Sequence, residues 1–578
     1  MTTFFSAAIC RNVFATKSIL GSVLVAALVA VAGCAGERPP GGGPIDTTPP
    51  EIIAVDPPPN TTEYSSKHIS MEFSKYVERR SVEESIFISP YIKDIEFDWS
   101  GREVELDFKD SLKKNTTYVV TIGTDVVDVN NRNRMAHAFT FAFSTGQQID
   151  RGEIRGRVVD DKPVGVMIFA YRLDGLKPDT LNPMTTKPDY ISQTGNNGDY
   201  ALMHLSFGNF RVLAVRDEFR NLLYDPETDA MSTAPEDIRL TEDDSLRTEM
   251  NFQLSLEDTT PPRLVSATAK DSRHVELEFS ENVDLSSLNR SAFSISDTTQ
   301  TRSVSIVDFF SPAQNPSRVM LIVEPRREDS LYRVAVTGVK DLAGHLINPL
   351  ASSKQFTPSA GADTTPPGLI FATVMDSTTR VSVGQRFQFD FDDALQRPSA
   401  EHAITLRRKD STDVPVSFAW NSPASFTVIP REALREDTPY FFLLRFDSLR
   451  DGSGNHWKDS TRKITIRTID PEQLSSIEGV LLDPDSSHVD NYVVVAENTA
   501  KKMKKVIRAR AERGKKFLFP QLDPGEYRLK AFQDDDRSGV YFSGKPYPFI
   551  PAERFALYPD SIKVRARWPV DGVKIKFR

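Results

Sequence analysis

The pentapeptide Asp-Thr-Thr-Pro-Pro occurs three times in this chain of 578 residues, beginning at Asp46, Asp258 and Asp363. After each copy comes a segment in which apolar residues occupy every second position. These residues are Ile69, Met71 and Phe73; then Val275, Leu277 and Phe279; then Phe387, Phe389 and Phe391. A period of two predicts a β-strand with one buried and one solvated face. Because the same signals return after each pentapeptide, the repeat predicts three copies of one domain.

Later in each copy, a strand that opens on tyrosine is followed by an aspartate and a polar or glycine-containing turn. The strands carry Tyr118, Val120 and Ile122; Tyr332, Val334 and Val336; and Tyr440, Phe442 and Leu444. The turns are Asp128-Val129-Asn130-Asn131, Asp341-Leu342-Ala343-Gly344 and Asp451-Gly452-Ser453-Gly454. Short strands at regular spacing with turn signals between them are typical of a β-sandwich.

The three units resemble the bacterial Ig-like domain of surface-layer and other cell-surface proteins. The resemblance rests on the pentapeptide, the alternating strand, the tyrosine strand and the aspartate turn. The third copy departs most, since Asp392 stands where the other two copies have Ser74 and Ser280. The resemblance implies Ig-like β-sandwiches over residues 46–147, 258–359 and 363–470.

Two further regions match each other and not the triplet. Residues 154–160 (IRGRVVD) parallel 477–483 (IEGVLLD), and residues 208–214 (GNFRVLA) parallel 525–531 (GEYRLKA). The register continues through the pairs Asp217 and Asp534, Arg220 and Arg537, and Tyr224 and Tyr541. The pattern resembles the transthyretin-like, carboxypeptidase-regulatory-like sandwich, an accessory module that is not the peptidase. It implies two such sandwiches, over residues 150–256 and 475–578.

The two cysteines of the chain, Cys10 and Cys34, both lie in its first 34 residues. The body of the protein can therefore form no disulfide, thiolate zinc site or cysteine nucleophile. The net charge of -9 comes from acidic and basic residues mixed along the chain. A nucleic-acid-binding protein would carry a basic domain or stripe, so no nucleic-acid partner is expected.

Residues 1–33 are predicted to be a lipoprotein signal peptide. Arg11 and Lys17 are positive, and the apolar run that ends at Ala32 has signal-peptide length and is short for a spanning helix. Val31-Ala32-Gly33-Cys34 resembles the bacterial lipobox, whose cysteine is acylated, which implies lipidation of Cys34 and attachment to a membrane. The alternatives are a plain signal peptide cut near Ala32 and an uncleaved anchor helix.

Residues 34–45 are predicted to be a flexible tether, because the Gly/Pro-rich sequence here cannot bury a core. Ala35 is not the aspartate of the inner-membrane retention signal. The predicted location is therefore the bacterial outer membrane, with the protein lipid-anchored on its periplasmic or surface face.

The predicted fold class is all-β, a tandem array of five β-sandwich domains after the lipoprotein signal peptide. The linkers are a few residues long and often contain proline, which stiffens them. We therefore expect the domains to lie end to end as a rod, with a radius of gyration of roughly 50 Å against roughly 24 Å for one compact body.

No catalytic motif is found, and the protein is predicted to be neither an enzyme nor dependent on a cofactor. Eight histidines are scattered without a zincin-type spacing, and the chain has no G-x-S-x-G elbow or P-loop. The best metal candidate is the segment 534–539 (DDDRSG), with Asp534, Asp536 and Ser538 as oxygen ligands of Ca²⁺. It lacks the later bidentate glutamate of a calcium loop, and an arginine-paired acidic loop is the alternative.

A basic cluster provides the second candidate site. Its candidate binding residues are Lys501, Lys502, Lys504, Lys505, Arg508 and Arg510. Such a cluster could contact an anionic surface polymer or an acidic envelope protein. The alternative is a lysine-rich hairpin, whose charge prevents edge-to-edge aggregation of strands.

The preferred function is a non-enzymatic, lipid-anchored envelope protein that acts as a structural spacer or as an adhesion and binding scaffold. Sandwich loops cluster at domain ends and are the usual binding surfaces. The alternative is an accessory lipoprotein subunit of an envelope secretion, transport or polysaccharide machine. A carbohydrate-binding array is disfavoured, because the four tryptophans are spread over different units.

Overall fold

The computed structural model describes residues 45–298, 302–312, 314–325, 330–359, 361–487, 490–499 and 505–577. The predicted signal peptide, Cys34, nearly all of the tether, and Lys501, Lys502 and Lys504 lie outside these residues. In the described part of the chain, no helix is long and apolar enough to cross a membrane. The fold is all-β, a tandem array of five sandwiches, as the sequence predicts.

The first sandwich has seven strands and one short helix, α1 (Arg79–Glu83). The strands are β1 (Ile52–Asp56), β2 (His68–Phe73), β3 (Ile86–Ser89), β4 (Ile95–Ser100), β5 (Glu103–Phe108), β6 (Thr117–Ile122) and β7 (Phe139–Ser144). One sheet has the order β1-β2-β5-β4 and the other β3-β6-β7. These are the ABED and CFG sheets of an Ig sandwich.

The second sandwich has a different strand order. Its strands are β8 (Gly152–Val159), β9 (Met167–Arg172), β10 (Tyr190–Gln193), β11 (Asp199–Leu205), β12 (Gly208–Val215), β13 (Met231–Thr233), β14 (Ile238–Leu240), β15 (Leu246–Arg247) and β16 (Phe252–Gln253). In one sheet, β10, β9 and β12 are neighbours, and β13 and β14 both pair with β12. In the other, β11 pairs with β8, and β15 and β16 run parallel to β8.

The third and fourth sandwiches repeat the strand order of the first, each with one added edge strand, β20 or β26. The third contains β17 (Leu264–Ala269), β18 (His274–Phe279), β19 (Phe293–Asp297), β20 (Ser303–Val304), β21 (Ile306–Phe310), β22 (Arg318–Val323), β23 (Tyr332–Val336) and β24 (Ser353–Phe356). The fourth contains β25 (Leu369–Ala372), β26 (Thr378–Val381), β27 (Phe387–Phe391), α2 (Arg397–Ala403), β28 (Ile404–Arg408), β29 (Val416–Ser422), β30 (Ser425–Pro430), β31 (Pro439–Arg445) and β32 (Thr461–Thr468).

The fifth sandwich repeats the strand order of the second, which confirms that these two regions form a pair of their own. Its strands are β33 (Ser475–Leu482), β34 (Tyr492–Asn498), β35 (Val506–Ala511), β36 (Lys516–Leu522), β37 (Gly525–Gln533), β38 (Lys545–Pro546), β39 (Phe549–Ile550), β40 (Phe555–Leu557), β41 (Ile562–Val564) and β42 (Val570–Lys576). The last strand, β42, runs parallel to β33, as β15 and β16 do to β8. Strands β38 and β39 form a small separate hairpin.

The repeated tyrosines and aspartates have a structural explanation. Tyr118 and Tyr440 are buried, and their hydroxyls accept backbone N–H groups five residues upstream, from Lys113 at 2.8 Å and Arg435 at 2.9 Å. This is the tyrosine corner of Ig sandwiches. The turn aspartates are buried as well, and each accepts backbone N–H groups of its own turn, as Asp451 does from the residues two and four positions later.

The sandwiches do not lie end to end, so the expectation of a rod is wrong. The fifth sandwich contacts the second: the backbone N–H of Thr233 donates to the carbonyl of Ser543 at 2.9 Å, and Lys530 Nζ donates to Gln253 Oε1 at 2.6 Å. Prolines stiffen several of the linkers, but the relative orientation of two sandwiches depends on the side chains that pack at their junction. The chain therefore folds back on itself.

We expect Phe389→Ala to destabilise the fourth sandwich by about 3 to 5 kcal/mol. The ring is completely buried, and its centroid lies 5.2 Å from that of Phe442 and 6.0 Å from that of Phe426. Phe371→Ala is the control, because this ring is 39% exposed and its removal should cost no more than about 1 kcal/mol. Hydrogen exchange of β27 and β30 measures both effects, and equal losses in the two variants would contradict the assigned core.

Candidate functional site: the interface between the second and fifth sandwiches

The loop between β37 and β40, residues 534–554, connects the fifth sandwich to the second. It begins with the aspartate-rich motif found in the sequence and includes the β38–β39 hairpin. Besides the bond from Thr233 N to Ser543, Thr233 Oγ1 donates to the carbonyl of Ile550 at 3.2 Å. The hydroxyls of Ser255 and Ser543 also form a hydrogen bond. The short edge strand β13 of the second sandwich is thus covered by the loop.

Charged side chains surround these hydrogen bonds. Lys545 Nζ lies 2.9 Å from Glu257 Oε1. Burial lowers the pKa of Lys530, whose ammonium donates to Gln253. The Arg211 guanidinium lies 3.5 Å from the centroid of the Phe549 ring, a cation–π contact. Arg211 is only 2% exposed, and Asp237 accepts two hydrogen bonds from it at 2.8 and 2.9 Å, so its position at the interface is fixed.

Two carboxylates hold the base of the loop. Asp534 Oδ1 accepts the backbone N–H of Gly539 at 3.0 Å. Glu553, just before β40, accepts the backbone N–H groups of Asp535 and Phe542, both at 2.9 Å. Burial, together with the negative charges of Asp536 and Asp534, raises the pKa of Glu553 to about 7. Glu553 lies outside the aspartate-rich motif 534–539, so the motif alone does not identify it.

The second sandwich has the same arrangement in its loop 216–230. Asp217 accepts the backbone N–H groups of the residues four and five positions later, at 3.1 and 2.8 Å. Asp229, which precedes β13 as Glu553 precedes β40, accepts those of Glu218 and Asp225 at 3.1 and 2.9 Å. The two loops share an acidic residue just before the strand that follows, Asp229 before β13 and Glu553 before β40. This shared feature could have identified Glu553 from the sequence.

The loop of the second sandwich also contacts a neighbour, the first sandwich. Arg220 donates to Glu84 at 3.3 Å and lies 3.4 Å from Asp125. Elsewhere at that junction, the side-chain oxygen of Gln193 accepts the backbone N–H of Thr124 at 2.6 Å. Both carboxylate-held loops therefore join one sandwich to another.

The predicted calcium ligands are only partly brought together. Oxygen atoms of Asp534, Asp536 and Glu553 lie within 4.8 Å of one another. Ser538 belongs to the same turn, but its hydroxyl donates to the carbonyl of Val540 at 3.0 Å. Three carboxylates at this spacing could contact one hard cation. The third ligand would then be Glu553, and not Ser538 as the sequence predicted. Calcium binding stays a prediction.

The described part of the basic cluster lies on a sheet edge. Arg508 and Arg510 are exposed on β35, which is the outer strand of its sheet. Lys505 Nζ lies 3.3 Å from Asp523 Oδ2, and Asp523 also pairs with Arg380 of the fourth sandwich. Lys505 is thus placed at the junction of the fourth and fifth sandwiches.

A cleft of about 1100 Å³ lies between the second and fifth sandwiches, beside the docked loop. Its basic lining residues are Arg155, Arg157, Arg247, Arg554, Lys574 and Lys576, and its acidic ones are Asp199, Glu236, Glu249 and Asp485. Several of the basic residues are paired within their own sandwich, as Arg157 is with Asp199 at 2.8 Å. The two lysines on β42 add exposed positive charge to the wall that the fifth sandwich provides.

Residues 46–145 and 363–468, in the first and fourth sandwiches, match the family model described as bacterial Ig-like domain. No curated protein matches the chain. Similar solved structures include the N-terminal part of the bacterial S-layer protein SbsC, with 12% identity over 36% of this chain and 44% of that one, TM-score 0.17. They also include domains 1–6 of SbsC, with 10% identity over 91% of this chain and 68% of that one, TM-score 0.17. An L,D-transpeptidase from Mycobacterium smegmatis is 13% identical over 37% of this chain and 90% of its own, TM-score 0.16.

The double variant Ser255→Cys/Ser543→Cys should form a disulfide between the second and fifth sandwiches. The two hydroxyls are within hydrogen-bonding distance, which places the side chains close enough for a sulfur–sulfur bond. After mild oxidation, the variant should migrate faster on a non-reducing gel, because a covalent loop compacts the denatured chain. The control pair, Ser255→Cys/Ser417→Cys, should not shift. If neither pair shifts, the fold-back contact is contradicted.

If the loop 534–554 binds calcium, millimolar Ca²⁺ should raise the melting temperature, because a ligand of the folded state stabilises it. Asp536→Asn should remove the increase, whereas Asp560→Asn, at an exposed position outside the loop, should keep it. Calorimetry of the full-length protein with and without calcium measures the effect. An unchanged melting temperature in the wild type would reject the calcium site.

Proposed function

We propose that the protein is a non-enzymatic, lipid-anchored envelope protein whose five sandwiches form a binding scaffold. The repeated bacterial Ig-like domains support a cell-surface or envelope setting. The second and fifth sandwiches are, in this proposal, transthyretin-like accessory modules. Their common strand order and the sequence pattern that they share support this assignment.

The observation that carries the proposal is the contact between the second and fifth sandwiches. An elongated spacer has its domains arranged end to end. This contact instead folds the chain back on itself and shortens it. It creates a cleft with walls from two sandwiches, beside a loop that is held at its base by Asp534 and Glu553. Clefts between domains are preferred binding positions, so the arrangement favours a binding scaffold over a spacer.

The positive wall of the cleft and the charged strand β35 favour an anionic surface polymer or an acidic envelope protein as the partner. A pull-down from detergent-solubilised membranes, followed by mass spectrometry, separates the two candidate roles. Reproducible capture of the components of one secretion, transport or polysaccharide machine would identify an accessory subunit. Binding to whole cells or isolated envelope polymer, without such components, is the result expected of the scaffold.

Attachment to the outer membrane through lipid on Cys34 is part of the same proposal. The cysteine follows an apolar run and precedes a Gly/Pro-rich segment, and this order supports the proposal. The two or three acyl chains of a lipoprotein provide firm attachment, whereas one chain is marginal.

Cys34→Ala should therefore release the protein from the membrane fraction or leave it uncleaved with its signal attached. Cys10→Ala is the matched control, because this cysteine lies within the predicted signal peptide. Labelled palmitate followed on a gel measures lipidation. Undiminished label in the Cys34→Ala protein would contradict the proposed anchor.

A further inference from the structure

The second and fifth sandwiches have the same row of three positions across one sheet, on the face that points away from the core. In each row, a residue of the edge strand is in register with one on the next strand, and that residue with one on the third. The rows are Gln193, Met167 and Val215 in the second sandwich, and Arg510, Val493 and Phe532 in the fifth. Arg510 on β35 therefore occupies the place that Gln193 has on β10.

The loop that follows each row begins with the same turn. Asp217 and Asp534 each lie two residues after the last member of the row, and each accepts the backbone N–H of the residue five positions later, at 2.8 and 3.0 Å. Three positions after these aspartates lie Arg220 and Arg537, both with left-handed backbone, at φ of 54° and 61°. Arg537 is therefore the counterpart of Arg220 in structure as well as in sequence.

In the second sandwich, these two positions hold the first sandwich. Asp125 of the first sandwich lies between them, since its Oδ2 accepts from Gln193 Nε2 at 3.1 Å and lies 3.4 Å from Arg220. Gln193 also accepts the backbone N–H of Thr124 at 2.6 Å. Arg220 also donates to Glu84 at 3.3 Å. One carboxylate of a neighbouring sandwich is thus bound jointly by the edge strand and the loop.

In the fifth sandwich, the corresponding surface is exposed and positive. Arg510 and Arg537 are both exposed, and neither forms an ion pair with another described residue. Arg508, also exposed, stands where the second sandwich has Ile191. Ile191 and Phe87 of the first sandwich pack against one apolar cluster. Because an apolar partner would have to strip water from the guanidinium of Arg508, this replacement favours a charged partner.

We propose that Arg508, Arg510 and Arg537 form an arginine face that docks an acidic envelope protein through carboxylates on its surface, as the second sandwich docks the first. The proposal rests on the proposed role as a binding scaffold and names the partner chemistry of one of its surfaces. Guanidinium groups form two parallel hydrogen bonds with a carboxylate. A carboxylate placed as Asp125 is would therefore meet two arginines where the second sandwich offers an amide and one arginine.

A second copy of this chain does not supply the partner. The residue three positions before the turn aspartate is Asp125 in the first sandwich, but Gly338 in the third and Ser448 in the fourth. Asp125 and Glu84 already contact the second sandwich of their own chain. The Ig-like sandwiches of another copy thus offer no carboxylate at this place that is still available. The partner is a different protein.

The test uses the full-length protein in detergent, with poly-L-glutamate as the probe, because this polymer presents carboxylates on a polypeptide. Polyphosphate and polygalacturonate are the comparison polymers, and surface plasmon resonance measures binding to each. The wild type should bind polyglutamate most tightly, and Arg510→Gln/Arg537→Gln should weaken that binding about tenfold. The control, Arg239→Gln/Arg462→Gln, removes two exposed arginines that form no ion pair with a described residue and lie outside the face, and it should bind as the wild type does.

Equal binding of polyglutamate by the wild type and by Arg510→Gln/Arg537→Gln would overturn the proposal, and so would no binding by the wild type. Tighter binding of polyphosphate or polygalacturonate, lost in the same variant, would make an anionic polymer the occupant and reject the protein partner. A wild-type dimer in sedimentation that this variant abolishes would make a second copy the occupant, with the same consequence.

The cleft between the second and fifth sandwiches is tested separately with Lys574→Gln/Lys576→Gln, which removes the two lysines of its wall. This variant should keep the polyglutamate binding that Arg510→Gln/Arg537→Gln loses. If instead the lysine variant loses binding and the arginine variant keeps it, the scaffold role stands and the arginine face is wrong.

Discussion

Each sandwich of this protein is held together by two sheets that bury their apolar faces against each other, without any covalent link. No disulfide can assist, since both cysteines lie in the first 34 residues. The free energy of each core therefore comes from alternating side chains such as Phe73, Phe279 and Phe391, which occupy the same position in three sandwiches and are almost completely buried. Only a chain that satisfies this alternation can support the loops and junctions on which the rest of the structure depends.

The junctions between sandwiches use several kinds of contact. Two loops, each held at its base by carboxylates, form polar contacts with a neighbouring sandwich. One joins the second sandwich to the first, and the other joins the fifth to the second. An apolar patch around Phe310 joins the third to the fourth, and an ion pair between Arg380 and Asp523 joins the fourth to the fifth. Because each junction restricts the direction of the next sandwich, together they return the chain to the second sandwich. A closed scaffold of this kind presents a cleft as well as its loop ends.

One backbone corner is reused with different charges in the Ig-like sandwiches. The first places Lys75 beside Asp46 and so contains its own cation. The third places Glu281 there, and burial, together with the charges of Asp258 and Asp341, raises the pKa of that carboxyl. The fourth places Asp393 there and meets His274 from its neighbour. The fold tolerates all three arrangements, because the corner lies at the edge of the core.

The sequence by itself determined the all-β fold, the two kinds of sandwich, the buried alternating strands, and the tyrosines and aspartates that fix each Ig-like turn. These features depend on local periodicity and on neighbours a few residues away, which a single chain displays directly. The tertiary structure alone decided that Glu553 joins Asp534 at the base of the docking loop, that the fifth sandwich lies against the second, and that His274 faces Asp393. Such pairs are set by how whole sandwiches pack, and the packing of two surfaces distant in sequence leaves no periodic signal in the chain.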